Sequence, residues 1–343
     1  MKKINEKMTV EIPGHKYNIH IKKGILADVH KYVELERKVL IVTDDEIPEE
    51  YVSALQQQCP ECYLATVHAG EASKCFIYLQ FIWNALLDNG FGRNDLLIGL
   101  GGGVVGDLTS FAAATYMRGV DYINIPTSTL AQIDSSIGGK GAINLGDVKN
   151  IVGAFHQPRA VFIDTDLLQT LDDRNFYNGL AEAVKAGLIG DAELFALFEQ
   201  LPAERETIQQ EYIEQIISKA LAVKKRVVEQ DEKETGLRQI LNFGHTIGHA
   251  IESAGELAGM LHGEAIGIGM LQVTEDAALR ERIAAVLTKL HLPTAHEYPA
   301  EQLMEIISHD KKHSGNKINL ILVKTPGQAE IVKMPLDAVQ KYL

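Results

Sequence analysis

Between residues 242 and 263 the chain reads Asn242-Phe243-Gly244-His245-Thr246-Ile247-Gly248-His249 and, further on, Leu261-His262-Gly263. His245 and His249 are spaced i, i+4, and Asn242 stands three residues before His245. On a single helix all three side chains would share a face. Two imidazoles at that spacing can bind or flank one metal ion, and His262 is a further candidate. The HExxH pattern of zinc peptidases is absent. Glu182 and Lys185 are spaced i, i+3 in Gly-Leu-Ala-Glu-Ala-Val-Lys, which by itself reads as a solvated helix face. Lys224, Arg238 and the Asp310-Lys311-Lys312 run add cations able to bind a carboxylate and a phosphate.

A second group of chemistry-bearing residues lies earlier. The apolar run Asp95–Leu100 leads straight into Gly101-Gly102-Gly103-Val104-Val105-Gly106-Asp107, where Gly101, Gly103 and Gly106 satisfy GxGxxG. Such glycines let backbone approach a pyrophosphate seated on helix N–H groups, although the same turn also occurs for purely structural reasons. Asp107, or Asp44 at the end of another apolar run, can accept from ribose hydroxyls. A long polar segment follows, with Thr127-Ser128-Thr129, Asp134-Ser135-Ser136-Ile137-Gly138-Gly139-Lys140, Asn144 and Lys149-Asn150. Two glycines beside a lysine make an anion cradle, and a long loop inside a domain points to function. The segment does not match the Walker pattern.

The elements that must position these residues are legible as patterns. Residues 8–21 alternate around Pro13-Gly14 and read as a β-hairpin. Apolar runs at 39–44, 63–70, 95–103, 122–128 and 160–166 are unbroken, as in strands covered on both faces, and helical stretches such as 74–89 separate them. That predicts an α/β domain with a largely parallel sheet. Near residue 172 the texture shifts to long Ala-, Leu-, Glu- and Lys-rich helical patterns, which divides the chain into 1–172 and 173–343. A late pair, 317–324 and 329–334, flanks Pro-Gly and reads as one hairpin.

At 343 residues the chain is long enough for two domains. A net charge of −13 excludes a general nucleic-acid footprint, so a bound anion must meet locally gathered cations. No apolar run reaches the ~18 residues needed to span a bilayer, and the amino terminus has no apolar stretch of the signal-peptide kind. Cys59 and Cys62 form a lone CxxC that reads as surface thiols of a cytoplasmic protein.

Taken together, residues 101–120, 134–140, 149–158, 179–185, 231–252 and 261–270 resemble, in order, the motifs of the 3-dehydroquinate synthase family. The resemblance implies a Rossmann-like NAD-binding domain, a mainly helical domain holding a divalent metal (zinc, or cobalt), and an active site between them. It makes Glu182, His245 and His262 the metal ligands, and turns His249 into a catalytic or orienting group. NAD would meet Asp44, Glu71 and Lys74, then Gly102, Gly103, Val104 and Asp107. It would also meet Thr127 and Ser128, and finally Lys140, Lys149 and Thr170. The phosphorylated sugar-acid substrate would meet Asp134, Lys140 and Asn150 from the first domain. From the second it would meet Lys185, Lys224, Arg238, Asn242 and one of Lys311 and Lys312. Arg118 would reach the site of a neighbouring subunit, which implies a homodimer, with neither nucleic acid nor membrane as partner.

The implied reaction converts 3-deoxy-D-arabino-heptulosonate 7-phosphate to 3-dehydroquinate and phosphate. It runs through transient oxidation by NAD, phosphate elimination, reduction, ring opening and an intramolecular aldol closure. Rival readings are another sugar phosphate cyclase, a glycerol-dehydrogenase-like oxidoreductase, and a catalytically dead homologue. The chain departs from the family's usual residues at Ser128-Thr129, Gly141, Ala186 and Glu46.

Overall fold

The apolar runs pair side by side in the computed structural model, which describes residues 6–146, 148–255, 259–310 and 317–343. The chain divides into two units, Met1–Asp172 and Asp173–Leu343. In the first, β1 (Glu6–Ile12) and β2 (His15–Ile21) form the expected antiparallel hairpin, with Gly14 at φ 80° in its turn. Next come β3 (Lys38–Asp44), α1 (Glu49–Gln56), β4 (Glu61–Val67), α2 (Phe76–Asp88), β5 (Leu96–Gly101), α3 (Gly103–Thr115) and β6 (Asp121–Pro126). After these stand β7 (Lys140–Leu145), β8 (Val148–Phe155) and β9 (Ala160–Ile163).

Among the described residues one seven-stranded sheet has the order β1-β2-β9-β6-β5-β3-β4, parallel throughout except at β1-β2. Successive side chains of a strand point to opposite faces, so an unbroken apolar run needs cover on both. Val39 and Ile41 of β3 pack with Val52 and Leu55 of α1 on one face. Leu40 and Val42 pack on the other with Leu79 and Ile82 of α2 and with Val105 and Leu108 of α3. The chain therefore leaves β3 towards one face and leaves the adjacent β5 towards the other. That divergence opens a crevice at the carboxyl ends of these strands, where open α/β sheets take their ligands.

Two sequence readings change here. The polar segment after β6 is no long loop: β7 and β8 pair as a separate two-stranded ribbon. Its strands were hidden because β8 exposes nearly every residue and so lacks a buried apolar face. Nor are the cysteines surface thiols. Cys59 is buried in the core and Cys62 packs partly against it, which follows from the apolar character of a free thiol.

The second unit has α4 (Asp173–Gly190), α5 (Ala192–Gln200), the single turn α6 (Arg205–Thr207) and α7 (Ile213–Gln230). These are followed by α8 (His245–Ala254), α9 (His262–Val273), α10 (Ala277–Lys289) and α11 (Ala300–Asp310). The hairpin β10 (Lys317–Thr325) and β11 (Gln328–Pro335) stands where Pro-Gly predicted it. Asp191 and Asp276 cap α5 and α10, their carboxylates accepting from Leu194 and Leu279 N–H.

The packing of α8 on α9 carries the histidines, and glycines set it. A Cβ on Gly269 would lie 2.1 Å from the Gly244 carbonyl oxygen, and one on Gly248 would lie 3.0 Å from that of Ala265. Neither backbone can yield without moving a histidine-bearing helix. Gly267 differs, because the nearest atoms a Cβ there would meet are side-chain atoms of Leu287, the closest at 3.3 Å. Gly269→Ala is therefore expected to destabilise the protein by roughly 1–3 kcal/mol through overpacking. Gly267→Ala should be near neutral, a helix-propensity gain of up to about 1 kcal/mol offsetting a small side-chain shift. Urea unfolding of the two variants checks this.

Candidate functional site

Glu182 lies in the middle of α4, a helix buried on nearly all sides from Phe176 to Ile189. Glu182 and Lys185 are only 2% and 3% exposed, so they are not the solvated pair their spacing suggested. They form an ion pair, but neither Glu182 oxygen has a hydrogen bond of normal geometry. Oε1 instead faces His245 Nε2 at 3.6 Å and His262 Nε2 at 3.4 Å.

The rings are aimed there by their other nitrogens. His245 Nδ1 lies 3.1 Å from the Phe243 carbonyl, which can only accept, so Nδ1 carries the proton and the Nε2 lone pair points at Glu182. His262 Nδ1 lies 3.2 Å from Glu252 Oε2, a carboxylate that sequence reasoning passed over as one more helical glutamate. The separations of 3.4 and 3.6 Å are near the ~3.3 Å between ligand atoms of a tetrahedral ion bound at about 2.0–2.1 Å. A buried carboxylate oxygen without ordinary hydrogen bonds, facing the Nε2 atoms of two imidazoles, one of which must first give up its proton, fits a divalent metal, and the O,N,N donor set suits zinc or cobalt.

His249 extends this cluster. Ligand nitrogens of His245, His249 and His262 lie within 4.8 Å of one another, and the His249 ring centroid is 5.1 Å from that of His245. It is exposed, and its ring lies nearer to His245 than the His262 ring does, at 5.4 Å, so the three histidines form one group that could hold a metal. Asn242 does not share the helix face with the histidines. It ends a 3-10 turn (Leu237–Asn242), and Gly244 at φ 78° breaks the chain before α8 begins at His245. Asn242 Nδ2 donates to Glu234 at 2.7 Å.

Burial opposes charge on every group here, and neighbouring charges overturn it at Glu182 and His262 but not at His245. Against burial, the Lys185 ammonium and the two imidazoles hold the Glu182 carboxyl well below the usual carboxylate range. Burial and then Lys185 hold His245 well below its ordinary value. Burial also lowers His262, but the Glu182 and Glu252 carboxylates outweigh it and push its pKa up to about 9. Lys224 on α7 and Arg238 in the 3-10 turn are buried too, Arg238 donating to the Glu232 carbonyl. Lys311 and Lys312 lie outside the described residues.

In the first unit the nucleotide candidates stand at or after the carboxyl ends of parallel strands. Asp44 closes β3, where it receives the Glu46 N–H at 3.1 Å, and burial raises its pKa. Gly102 precedes α3, so Gly103, Val104 and Asp107 occupy its first turns, with backbone N–H groups opening into the crevice. Glu71 and Lys74 follow β4, and Lys74 is buried in an ion pair with Asp107. Thr127 and Ser128 follow β6, the Thr127 N–H bonding to the Gly101 carbonyl at 3.0 Å. Thr170 closes the turn after β9, 3.3 Å from the Tyr51 hydroxyl.

Asp134 lies in a π-turn (Ala131–Ser135), and Lys140 opens β7. Gly138 and Gly139 precede Lys140 at φ 94° and 67°, and a Cβ on Gly139 would strike Gln157 at 2.5 Å. Lys149 and Asn150 are exposed on β8, Asn150 at φ 56°. Arg118 is exposed in a turn where Met117 and Arg118 are both left-handed, at φ 48° and 69°.

A nucleotide crevice in a parallel sheet and a metal-competent cluster in a helical unit define a two-unit, metal-assisted α/β enzyme. The family model for the 3-dehydroquinate synthase N-terminal region matches residues 64–178, and that for the C-terminal region matches 179–313. A curated 3-dehydroquinate synthase from Enterococcus faecalis is 40% identical over 98% of this chain and 98% of its own. The chain belongs to the 3-dehydroquinate synthase family. Among solved structures, a 2-epi-5-epi-valiolone synthase from Streptomyces hygroscopicus subsp. jinggangensis, with NAD+ and Zn2+ bound, superposes with a TM-score of 0.86. It is 27% identical and covers 95% of both chains. A 2-deoxy-scyllo-inosose synthase shares the fold, with a TM-score of 0.85 at 24% identity, over 98% of this chain and 99% of its own.

Cobalt(II) titration, followed by its visible absorption, should show one tight site per chain. That site should be lost in Glu182→Gln and His245→Ala and kept in His249→Ala. Since His262 holds a proton up to about pH 9, metal must displace it. Binding at pH 7 should then release about one proton, and affinity should rise roughly tenfold per pH unit towards pH 9. Calorimetry in buffers of different ionisation enthalpy counts that proton.

Proposed function

We propose that the protein is a 3-dehydroquinate synthase, taking 3-deoxy-D-arabino-heptulosonate 7-phosphate to 3-dehydroquinate and phosphate with NAD and a divalent metal, zinc foremost. The observation that carries this reading is the 40% identity to curated synthases along 98% of the chain, against 27% to the valiolone synthase. The buried Glu182–His245–His262 cluster supports the metal, and the crevice at Gly102 supports the nucleotide.

In this reading Glu182, His245 and His262 hold the metal. The first N–H groups of α3 receive the pyrophosphate, Asp44 the adenosine ribose, and Lys74 and Lys149 the neighbouring polar groups. When bound, NAD supplies a hydride acceptor that is restored within each turnover, and the metal supplies a Lewis acid for substrate hydroxyls. Lys185, Lys224 and Arg238 anchor carboxylate and phosphate, joined by Lys140 and by one of Lys311 and Lys312. Such fixing of both ends of the substrate keeps successive steps in register within one site. His249 and Asn242 handle or orient protons at the reacting carbons, and Asp134 and Asn150 hold hydroxyls.

The working form is a homodimer in which Arg118 serves the partner subunit's site. Two observations support it. Two adjacent non-glycine residues, Met117 and Arg118, hold a left-handed backbone that persists only where the surroundings require it. The β7–β8 ribbon also exposes Leu145, Val148, Ile151 and Phe155, an apolar surface suited to a second copy of this chain. No described helix is long and apolar enough to cross a membrane, and the free cysteines agree with action in the cytoplasm.

Phosphate release from the heptulosonate phosphate, with NAD at catalytic concentration, tests the activity. Release should stop on chelation, return with zinc or cobalt, and leave no net NADH. Accumulating NADH would favour an oxidoreductase instead. Subunit mixing tests the dimer. Arg118→Ala and His245→Ala, each inactive, should together regain about a quarter of wild-type activity after subunit exchange, as one intact site in half of the dimers requires.

A further inference from the structure

The ribbon β7–β8 is irregular where the candidate site residues sit. Ile143 pairs with Val152 and Leu145 with Val148, so Asn144 alone stands opposite Lys149, Asn150 and Ile151. A strand with surplus residues loses ladder bonds and bulges, and bulges beside active sites re-aim side chains. Asn144 makes up the missing bonds in two directions. Its Oδ1 accepts the Asn150 N–H at 2.9 Å, holding the bulge at the residue whose φ is 56°. On the other side its backbone N–H donates to the Lys74 carbonyl at 2.8 Å, and its Nδ2 donates to Glu71 Oε1 at 2.8 Å.

The amide orientation is fixed, since a carboxylate can only accept and an N–H can only donate. Lys74 is itself tied to Asp107 in the first turns of α3 by the buried ion pair. A continuous chain of bonds thus runs from the first turns of α3 through Lys74 and Asn144 to Asn150.

We propose that Asn144 is a positioning residue that couples the NAD-side turn, Glu71 and Lys74, to the substrate-side residue of the bulge, Asn150. This rests on the function proposed above for those residues. Nucleotide seated against Glu71 and Lys74 steadies Asn144 and, through it, the bulge that meets the phosphorylated substrate. By linkage, substrate tightens NAD by the same factor. The device needs the asparagine in particular, because an apolar residue breaks both ends and an aspartate breaks only one. Aspartate keeps an acceptor for the Asn150 N–H but sets a like charge against Glu71.

The test uses the metal-loaded full-length enzyme, with calorimetric Kd for NAD alone and KM and kcat for the heptulosonate phosphate at saturating NAD. Asn144→Ala should raise both Kd for NAD and KM roughly tenfold, the loss of hydrogen bonds to charged and strained partners, with kcat changed far less. Asn144→Asp should weaken NAD more than substrate, a split that general damage to the ribbon would not produce. If Asn144 acts through Asn150, adding Asn144→Ala to Asn150→Ala should raise KM no further. Should Asn144→Ala fold poorly, the Asn144→Asp split decides alone. Kd and KM within about twofold of wild type in both variants, or fully additive effects in the double variant, overturn the proposal. Failure of the underlying functional reading shows separately, as absent phosphate release by the wild-type enzyme.

Discussion

A carboxylate buried in an apolar helix is the constraint around which the second unit is organised. Removing a charged carboxyl from water without partners costs more than a domain can spare, so cations must be supplied or the group must take up a proton. At Glu182 the chain supplies Lys185 from the same helix and imidazoles from α8 and α9, leaving the oxygens without ordinary hydrogen bonds. A structural ion pair would be expected to fill those lone pairs. Two imidazole Nε2 atoms held on the same point by outward bonds to Phe243 and Glu252 are better matched to a cation than to folding stability. The glycine contacts between α8 and α9 follow from this, because only close helix approach lets His245 and His262 converge on one carboxylate.

The first unit solves a different problem. Its candidate ligand groups are mostly backbone N–H and short polar side chains at strand ends, held in place by buried polar residues beneath the loops. Gln132 Nε2 donates to the carbonyls of Pro126 and Asp164 at 3.0 and 2.8 Å, tying the turn after β6 to the end of β9. Asp164 in turn accepts from the N–H groups of Gly24 and Leu26. Loops braced in this way keep their shape without a ligand, which suits recognition of a nucleotide by main-chain groups.

Much of this was legible in the residues, and the failures have physical causes. Strands buried on both faces announce themselves as unbroken apolar runs, and Pro-Gly marked both outer hairpins. The β7–β8 ribbon carries little such signal, because β8 is exposed along most of its length and β7 buries only Gly141 and Ile143. The spacing of Glu182 and Lys185 fits a solvated face as well as a buried pair. Only the apolar residues on every side of α4, read together, distinguish the two. Asn242 and His245 looked like helical neighbours because spacing cannot register a left-handed glycine between them. Glu252 and Asn144 act through contacts 10 and as many as 73 residues away, to His262 and Glu71, and local pattern does not encode such contacts.

An acidic chain that handles a substrate with two anionic groups looks self-defeating until distance and burial are weighed. The net charge of −13 is spread over the surface, where salt screens interactions beyond about 8 Å. Lys185, Lys224 and Arg238 are 3%, 7% and 1% exposed. In that setting a cation acts on an adjacent anion through a lower effective dielectric than any surface charge enjoys, so a few buried cations outweigh many distant carboxylates. The same burial makes them expensive to leave without an anion. Arg238 leans on the Glu232 carbonyl and Lys185 on Glu182, partners that satisfy part of their hydrogen-bonding capacity. Under the proposed function, the carboxylate and the phosphate of the substrate are the anions that these buried cations would meet.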